Sequence, residues 1–261
     1  IKAKGKAGFA QPHPVKITTQ GGIGTAEEDN FLHDYYGVES TGWGTPFLMV
    51  PEATTVDDAT LNLLCKAKSE DIVLSNNSPL GVKFHYLKRT TADLEKANRI
   101  FLGNPVSLFT VKHLAFNTEF STEPICTASH KYQQLKIADL KSQHLPENEY
   151  QQQLKNVLDK ECLCIGLSNS AAQKYKIPFV KHQEAVNICP GPNIAYFSKV
   201  VSLQTMTDHI YGRTNIVADK HRPHMFIAEL NLYVTHFKEQ LAEGAGKEPD
   251  ACADDERLLD Y

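Results

Sequence analysis

Two glycine-rich turns are the residues of this chain best suited to chemistry. The first reads Gly21-Gly22-Ile23-Gly24-Thr25, and the second, about twenty residues later, reads Gly42-Trp43-Gly44-Thr45. A ligand can approach glycine backbone closely because glycine has no Cβ. Backbone N–H groups that converge at the ends of parallel strands, beside a helix N-terminus, are well suited to hold a phosphate. The two turns therefore predict a phosphate site if adjacent strands carry them.

Cysteines form a second set of residues with possible chemistry. A Cys-x-Cys pair is followed by a cysteine in a Cys-Pro-Gly-Pro sequence, and a further cysteine precedes them, giving Cys126, Cys162, Cys164 and Cys189 as candidate ligands. Such thiolates can hold zinc or an iron–sulfur cluster, which would require the last three sulfurs to lie within roughly 7 Å of one another. Free cysteines are also common in buried cores. A metal site and buried structural thiols both remain open.

The histidines and acidic residues give fewer indications of function than the glycines and cysteines. His209 lies at the end of a predicted helix and Arg213 just after it, and the pair can bind an anion or simply cap the helix in solvent. Glu119 and Asp29 are candidate acids, but nothing in the sequence pairs them with another group. The sequence contains no HExxH pattern, Walker loop, Gly-x-Ser-x-Gly elbow or complete GxGxxG pattern. It therefore identifies no catalytic residue.

A strand, a helix and a second strand are predicted to carry the glycine turns. A β-branched run predicts a strand over 14–19, capping and acidic residues predict a helix over 25–36, and a weaker pattern predicts a strand over 39–43. The apolar face of the helix is predicted to comprise Phe31, Leu32, Tyr35 and Tyr36. Strand, helix and strand in about thirty residues are typical of a βαβ unit, so we expect the strands to be parallel.

The rest of the chain is predicted to be mainly helical with irregular connections. We expect a phosphate-binding βαβ unit over 13–68, a helical region over 69–243 and a mobile tail over 244–261. Residues 103–130 are predicted to be irregular. Helices are predicted over residues 57–68, 91–102, 147–160, 168–175, 193–211 and 225–241.

Residues 13–53 resemble the end of the FMN-binding (β/α)8 barrel of the nitronate monooxygenase and 2-nitropropane dioxygenase family. Gly21, Gly22 and Ile23 match the family's Gly-Gly-Ile turn, and 37–39 match the entry to its next strand. The second turn matches the family's Gly-Thr-x-Phe-Leu pattern through Gly44, Thr45, Phe47 and Leu48. The resemblance covers about 40 of the 261 residues.

This resemblance implies an α/β fold, in which the last βαβ portion of an FMN-type barrel is followed by a mainly helical, irregular C-terminal region. It implies an FMN-dependent oxidoreductase in which the amides of Gly21, Gly22, Ile23, Gly44 and Thr45 hold the flavin phosphate. The flavin would act on a small-molecule substrate. Pro46 departs from the family, which often has arginine there.

The six earlier barrel strands are also absent from the sequence. The missing N-terminal part of the barrel, or another subunit, would then complete the site. The alternative is a non-catalytic iron–sulfur or metal module built from the four cysteines. The two hypotheses can be combined, because flavoenzymes that resemble glutamate synthase place cluster cysteines after the barrel.

Composition limits the class of protein. With 41% hydrophobic and 22% charged residues, the chain is long and apolar enough to form an ordinary globular core. The net charge is −4 and the basic residues are spread along the chain, so there is no positively charged surface that would attract nucleic acid. There is no apolar run of membrane-spanning length and no signal sequence, so we expect a cytoplasmic protein that binds no membrane. The first residue is Ile1, and we expect the natural beginning to lie upstream.

Overall fold

The computed structural model describes residues 4–5, 14–109, 115–177 and 184–244. The chain divides into two compact units, Ile1–Lys220 and His221–Tyr261. The predicted mobile tail lies outside the described residues except at its first position. The fold is mixed α/β, with many helices and few strands.

The predicted βαβ unit is present, and its strands are parallel. Strand β1 (Thr18–Gln20) is followed by helix α1 (Ala26–Tyr36) and strand β2 (Ser40–Gly42). Thr18 pairs with Ser40 and Gln20 with Gly42. Each glycine turn therefore follows the C-terminal end of its strand, and the two ends lie on the same rim.

Local capping explains the position of α1 between the strands. The Thr25 hydroxyl accepts the Glu28 N–H at 3.3 Å at the helix start. Gly37 ends the helix in the left-handed region, with φ 63, and its N–H bonds to carbonyls of the last turn. These two residues fix the crossover at the length that brings β2 beside β1.

The apolar face predicted for α1 is only partly correct. Leu32 is buried, together with Ala26 and Glu28, but Phe31, Tyr35 and Tyr36 are exposed. The three rings pack on one another at the helix surface, with the Phe31 and Tyr35 rings stacked 5.2 Å apart. The buried face of α1 is narrower than the predicted one, because only one side of the helix contacts the rest of the first unit.

A second sheet was not predicted. Strands β3 (Ile72–Ser75) and β4 (Phe84–Leu87) pair antiparallel, with Ile72 opposite Leu87. Three helices lie between β2 and β3. They are a 3-10 helix over Thr45–Met49, helix α2 (Asp58–Lys66) and a second 3-10 helix over Ser69–Asp71.

Most predicted helices are present, with shifted ends. Helices α3 (Thr91–Phe101), α5 (Glu147–Asp159) and α6 (Leu163–Tyr175) correspond to three of them. Helix α4 (His130–Ser142) was not predicted. In the second unit, helix α8 (Met225–Gly244) extends three residues beyond its predicted end. None of the helices within the described ranges is long and apolar enough to cross a membrane.

The single helix predicted over 193–211 is wrong. The segment forms a 3-10 helix over Pro192–Tyr196 and a separate helix α7 (Leu203–Ile210). Between them the chain is neither helix nor strand, and the Val201 N–H donates to the Met49 carbonyl at 3.0 Å. This tertiary hydrogen bond replaces a helical one and docks the segment beside the second glycine turn.

A hydrophobic core cluster is built from elements that follow the glycine turns in the chain. Met49 closes the second turn, Leu64 comes from α2, Leu87 from β4, and Ile194 and Phe197 from the 3-10 helix and its end. All five side chains are almost fully buried. The second turn therefore leads directly into this core, through the 3-10 helix that ends at Met49.

A carboxyl group is buried just before α6. Glu161 is 5% exposed, and within the described residues neither of its carboxylate oxygens has a hydrogen-bond partner. The Lys96 ammonium lies 3.7 Å from Oε1, and it donates instead to Asp159 at 2.9 Å. Burial, opposed by the charge of Lys96, raises the pKa of Glu161 above its ordinary value.

Glu161→Gln is expected to stabilise the protein at neutral and alkaline pH. A raised pKa in the folded state means that the stability from this group is present below the ordinary value and is lost as pH rises through the raised value. Melting temperatures of the variant and wild type should differ more at about pH 8 than at about pH 5. Glu70→Gln is a matched control, because Glu70 is exposed. A lower melting temperature for Glu161→Gln at alkaline pH would contradict this account.

Candidate functional site

Both glycine turns line one cleft of about 490 Å³. Its walls contain all five residues predicted to hold a cofactor phosphate, and five further residues complete it. The lining residues are Gln20, Gly21, Gly22, Ile23, Gly42, Trp43, Gly44, Thr45, Pro46 and Asn193. The structure thus brings together turns that are separated by a helix and a strand in the sequence.

The first turn has a backbone conformation that requires glycine. Gly21 has φ 105 and Gly22 has φ 71, in a region that residues with side chains rarely adopt. Two successive positive φ values reverse the chain sharply after β1. Ile23 then enters the fold as a buried side chain, and α1 begins three residues later.

The second turn uses its two glycines differently. A Cβ on Gly42 would lie 2.8 Å from the Cβ of Gln20, its partner across the sheet, so close packing requires glycine there. A Cβ on Gly44 would meet nothing within 4 Å. Because Gly44 lines the cleft, the missing side chain leaves space that a ligand can occupy.

The cleft offers backbone donors and no charged side chains. Within the described part of the chain, the N–H groups of Ile23, Gly44 and Thr45 have no hydrogen-bond acceptor. The Gly24 N–H is already bonded to the Glu28 carboxylate at 2.8 Å. None of the ten lining residues carries a charge. Any anion in this cleft would therefore be held by peptide dipoles.

Residues from the end of the first unit support the first turn from behind. Asn193 Nδ2 donates to the Ile23 carbonyl at 2.8 Å, and His209 Nε2 lies 3.0 Å from the Gly24 carbonyl. In the second turn, Thr45 Oγ1 accepts the Gly191 N–H at 3.0 Å. The chain at the Cys-Pro-Gly-Pro sequence therefore contacts both turns, through Gly191 and through Asn193, which directly follows this sequence, rather than through Cys189.

His209 is a buried residue and not the solvated helix end that the sequence allowed. It is 1% exposed, and its ring packs edge-on against Trp43 at 5.8 Å and Phe197 at 5.9 Å. Arg213 does not face it, because the Arg213 guanidinium pairs with Asp208 at 2.5 Å. That pairing lowers the pKa of the Asp208 carboxyl. The predicted anion site built from His209 and Arg213 is therefore not formed.

Asp29 connects α1 to the end of β2. Its Oδ1 accepts the Thr41 hydroxyl at 2.5 Å and the Trp43 indole N–H at 3.1 Å. One carboxylate oxygen thus accepts two charge-assisted bonds, one from Thr41 in β2 and one from the indole that lines the cleft. Asp29 thus positions the second turn, and the sequence alone did not reveal these partners.

The sequence matches no protein-family model, and no curated protein matches it. Among solved structures, the chain is similar to the enoyl reductase domain of MlnA from the macrolactin biosynthesis cluster of Bacillus amyloliquefaciens, with 18% identity and a TM-score of 0.35. The match covers 71% of this chain and 42% of that one, so this chain spans less than half of the structure that it matches. A likeness of that size defines neither the fold nor the function of the chain.

The four candidate cysteines do not form a ligand set. Cys126 and Cys162 are buried, Cys164 is half-buried and Cys189 is exposed. Burial raises the pKa of the Cys162 thiol, with Cys126 and Cys164 close enough to raise it further. Across the described ranges, no three Cys, His, Asp or Glu side chains are arranged to hold a metal ion. The metal and iron–sulfur prediction therefore gains no support from the geometry.

The candidate acid Glu119 lies in a separate polar cluster. Its carboxylate accepts the Tyr132 hydroxyl at 2.8 Å and the Lys136 ammonium at 2.7 Å. The bond from Lys136 lowers the pKa of Glu119. Glu119 therefore bonds to two side chains of α4 and does not line the cleft.

Proposed function

We propose that the cleft holds the phosphate of FMN, and that the chain is part of a flavin-dependent oxidoreductase resembling the nitronate monooxygenases. One observation carries this proposal, namely that the two glycine turns of the resemblance lie on one rim and open into one cleft. The parallel pairing of β1 and β2 places both turns on that rim, and the glycines leave their backbone N–H groups accessible there. Helix α1 begins three residues after Ile23, so its N-terminus directly follows the first turn.

The amides of the two turns can bind a dianion without a cation. Ile23, Gly44 and Thr45 contribute N–H groups, and hydrogen bonds to charged groups contribute about 1.5–3 kcal/mol each before desolvation and ordering are subtracted. Pro46 follows the second turn in the position where arginine is common in the family. Backbone donation from Gly44 and Thr45 does not depend on that side chain.

The flavin, when bound, supplies the redox chemistry. The residues of this chain bind and orient its phosphate end, and the small-molecule substrate would meet the flavin ring elsewhere. In this proposal β1 and β2 are adjacent strands of a larger parallel sheet, the (β/α)8 barrel. Parallel sheets are normally covered on both faces, yet Val15 and Ile17, which lead into β1, are 83% and 64% exposed. In this proposal, helices and strands from another part of the protein or from another subunit would cover them.

Comparing FMN with riboflavin tests the proposal, because the two differ only by the phosphate. We expect inorganic phosphate and FMN to shift the amide NMR signals of Ile23, Gly44 and Thr45 in the full chain. Riboflavin should bind at least about tenfold more weakly than FMN, as expected for the loss of one charged hydrogen bond or more. If neither phosphate nor FMN perturbs these three amides at millimolar concentration, the proposal is wrong.

A further inference from the structure

We propose that Asn193 and His209 are positioning residues that lock the first glycine turn in its ligand-facing conformation. This inference rests on the proposed phosphate function of the cleft. The turn is built from residues with unusual backbone freedom, since three of its first four positions are glycine. A conformation of this kind is retained only when surrounding groups determine it.

Asn193 and Glu28 fix one peptide unit of the turn at both of its ends. The carbonyl of Ile23 accepts the Asn193 amide at 2.8 Å, and the N–H of the same unit, on Gly24, donates to the Glu28 carboxylate at 2.8 Å. The peptide bond is planar, so the two bonds together set its orientation. Both side chains are buried, which keeps water from competing for either bond.

His209 fixes the next peptide unit. Its Nε2 lies 3.0 Å from the carbonyl of Gly24 and must donate, because a carbonyl only accepts. Its Nδ1 accepts the Ile216 N–H at 3.4 Å. Both ring nitrogens are therefore engaged with backbone groups of the fold, and the contribution of His209 is to position the turn.

The same imidazole also contacts the second turn. Its ring packs edge-on against Trp43, which lies between Gly42 and Gly44 and lines the cleft. Trp43 is in turn fixed by Asp29 through its indole N–H. His209 therefore links the Gly24 carbonyl of one turn to the indole of the other. A defect at His209 should loosen both sides of the cleft.

Four variants separate this positioning role from simple core packing. His209→Leu keeps bulk but removes the donor, whereas the amide of His209→Gln can replace the Nε2 donor. His130→Leu is a matched control, because His130 Nδ1 bonds to a backbone carbonyl, that of Ser107 at 2.8 Å, and does not line the cleft. Asn193→Leu tests the second bond to the turn.

We expect His209→Leu and Asn193→Leu each to weaken binding of inorganic phosphate by about tenfold or more, as for the loss of a buried hydrogen bond. His209→Gln should restore most of the affinity even if its melting temperature stays as low as that of His209→Leu. His130→Leu should lower the melting temperature and leave phosphate affinity unchanged. Affinity that falls in step with melting temperature across all four variants would overturn the proposal.

Hydrogen exchange keeps the inference testable if wild type binds neither phosphate nor FMN. That result would refute the proposed function alone. The Gly24 amide, which is bonded to Glu28 in the turn, should then exchange faster in His209→Leu than in wild type or His209→Gln. Equal exchange rates at Gly24 in all three proteins would show that His209 does not hold the turn.

Discussion

Replacing Gly44 by valine is expected to abolish retention of FMN while leaving the protein folded. Gly44 has φ −101, which a residue with a side chain can adopt, and an added Cβ meets no atom within 4 Å. The valine would fill the cleft beside the amides of Gly44 and Thr45 and exclude the phosphate from them. Loss of two charged hydrogen bonds corresponds to a fall in affinity of about a hundredfold or more. Equilibrium titration with FMN, together with a melting curve, measures both parts of this expectation.

Two further glycine variants make the result specific. Gly44→Ala adds a smaller group at the same place, so its loss of affinity should be intermediate. Gly103→Val places a side chain at φ 76 at the end of α3, outside the cleft, and should cost stability without changing FMN affinity. Unchanged FMN affinity in Gly44→Val would show that the cleft is not the phosphate site.

Phe197→Ala is expected to produce the largest loss of stability, about 3–5 kcal/mol in the free energy of unfolding. Phe197 is almost fully buried in the core cluster, and its ring lies 5.9 Å from that of His209. Truncation leaves a cavity below the imidazole that supports the first turn. Chemical denaturation measures the change in stability, and phosphate titration shows whether the cavity also weakens the cleft.

Phe101→Ala is the matched control for this change. Phe101 is 88% exposed at the end of α3, so removing its ring should change the free energy of unfolding by little. A loss for Phe197→Ala no greater than that for Phe101→Ala would contradict the assignment of Phe197 to the core.

The sequence predicted those features of the site that depend only on residues close together in the chain. The β-branched run, the Thr25 cap, Gly37 and the two glycine turns all act through neighbours within a few residues. They predicted the parallel strand pair and the convergence of Gly22 and Gly44, and the structure confirms both. The barrel itself and the flavin remain proposals, because only two strands of this sheet lie within the described residues.

The supporting residues could not be found in the same way. Asn193 and His209 reach the first turn across 170 and 185 residues of sequence, so no spacing rule relates them to it. His209 reads locally as a polar helix end, and its burial follows only from tertiary packing against Trp43 and Phe197.

Some missed elements did carry a local signal. Ser202 caps α7 by accepting the Thr205 N–H at 3.1 Å, a helix start that would have divided the predicted 193–211 helix. Ser129 caps α4 in the same way at 3.2 Å. Helix α4 is hard to recognise by apolar periodicity because the polar Gln133 is part of its buried face. Gln133 bonds to the backbone of Ser107, Val157 and Lys160.

The neutral lining of the cleft has a consequence for how binding responds to solution conditions. None of its side chains titrates near neutral pH, since they are glycine, glutamine, isoleucine, tryptophan, threonine, proline and asparagine. The second ionisation of a phosphate monoester, with a pKa near 6, lies in that range instead. Affinity should therefore follow the ligand's own titration, rising as the monoanion becomes the dianion. Added salt should change the encounter rate little, because the cleft has no fixed charge of its own to attract the ligand over distance.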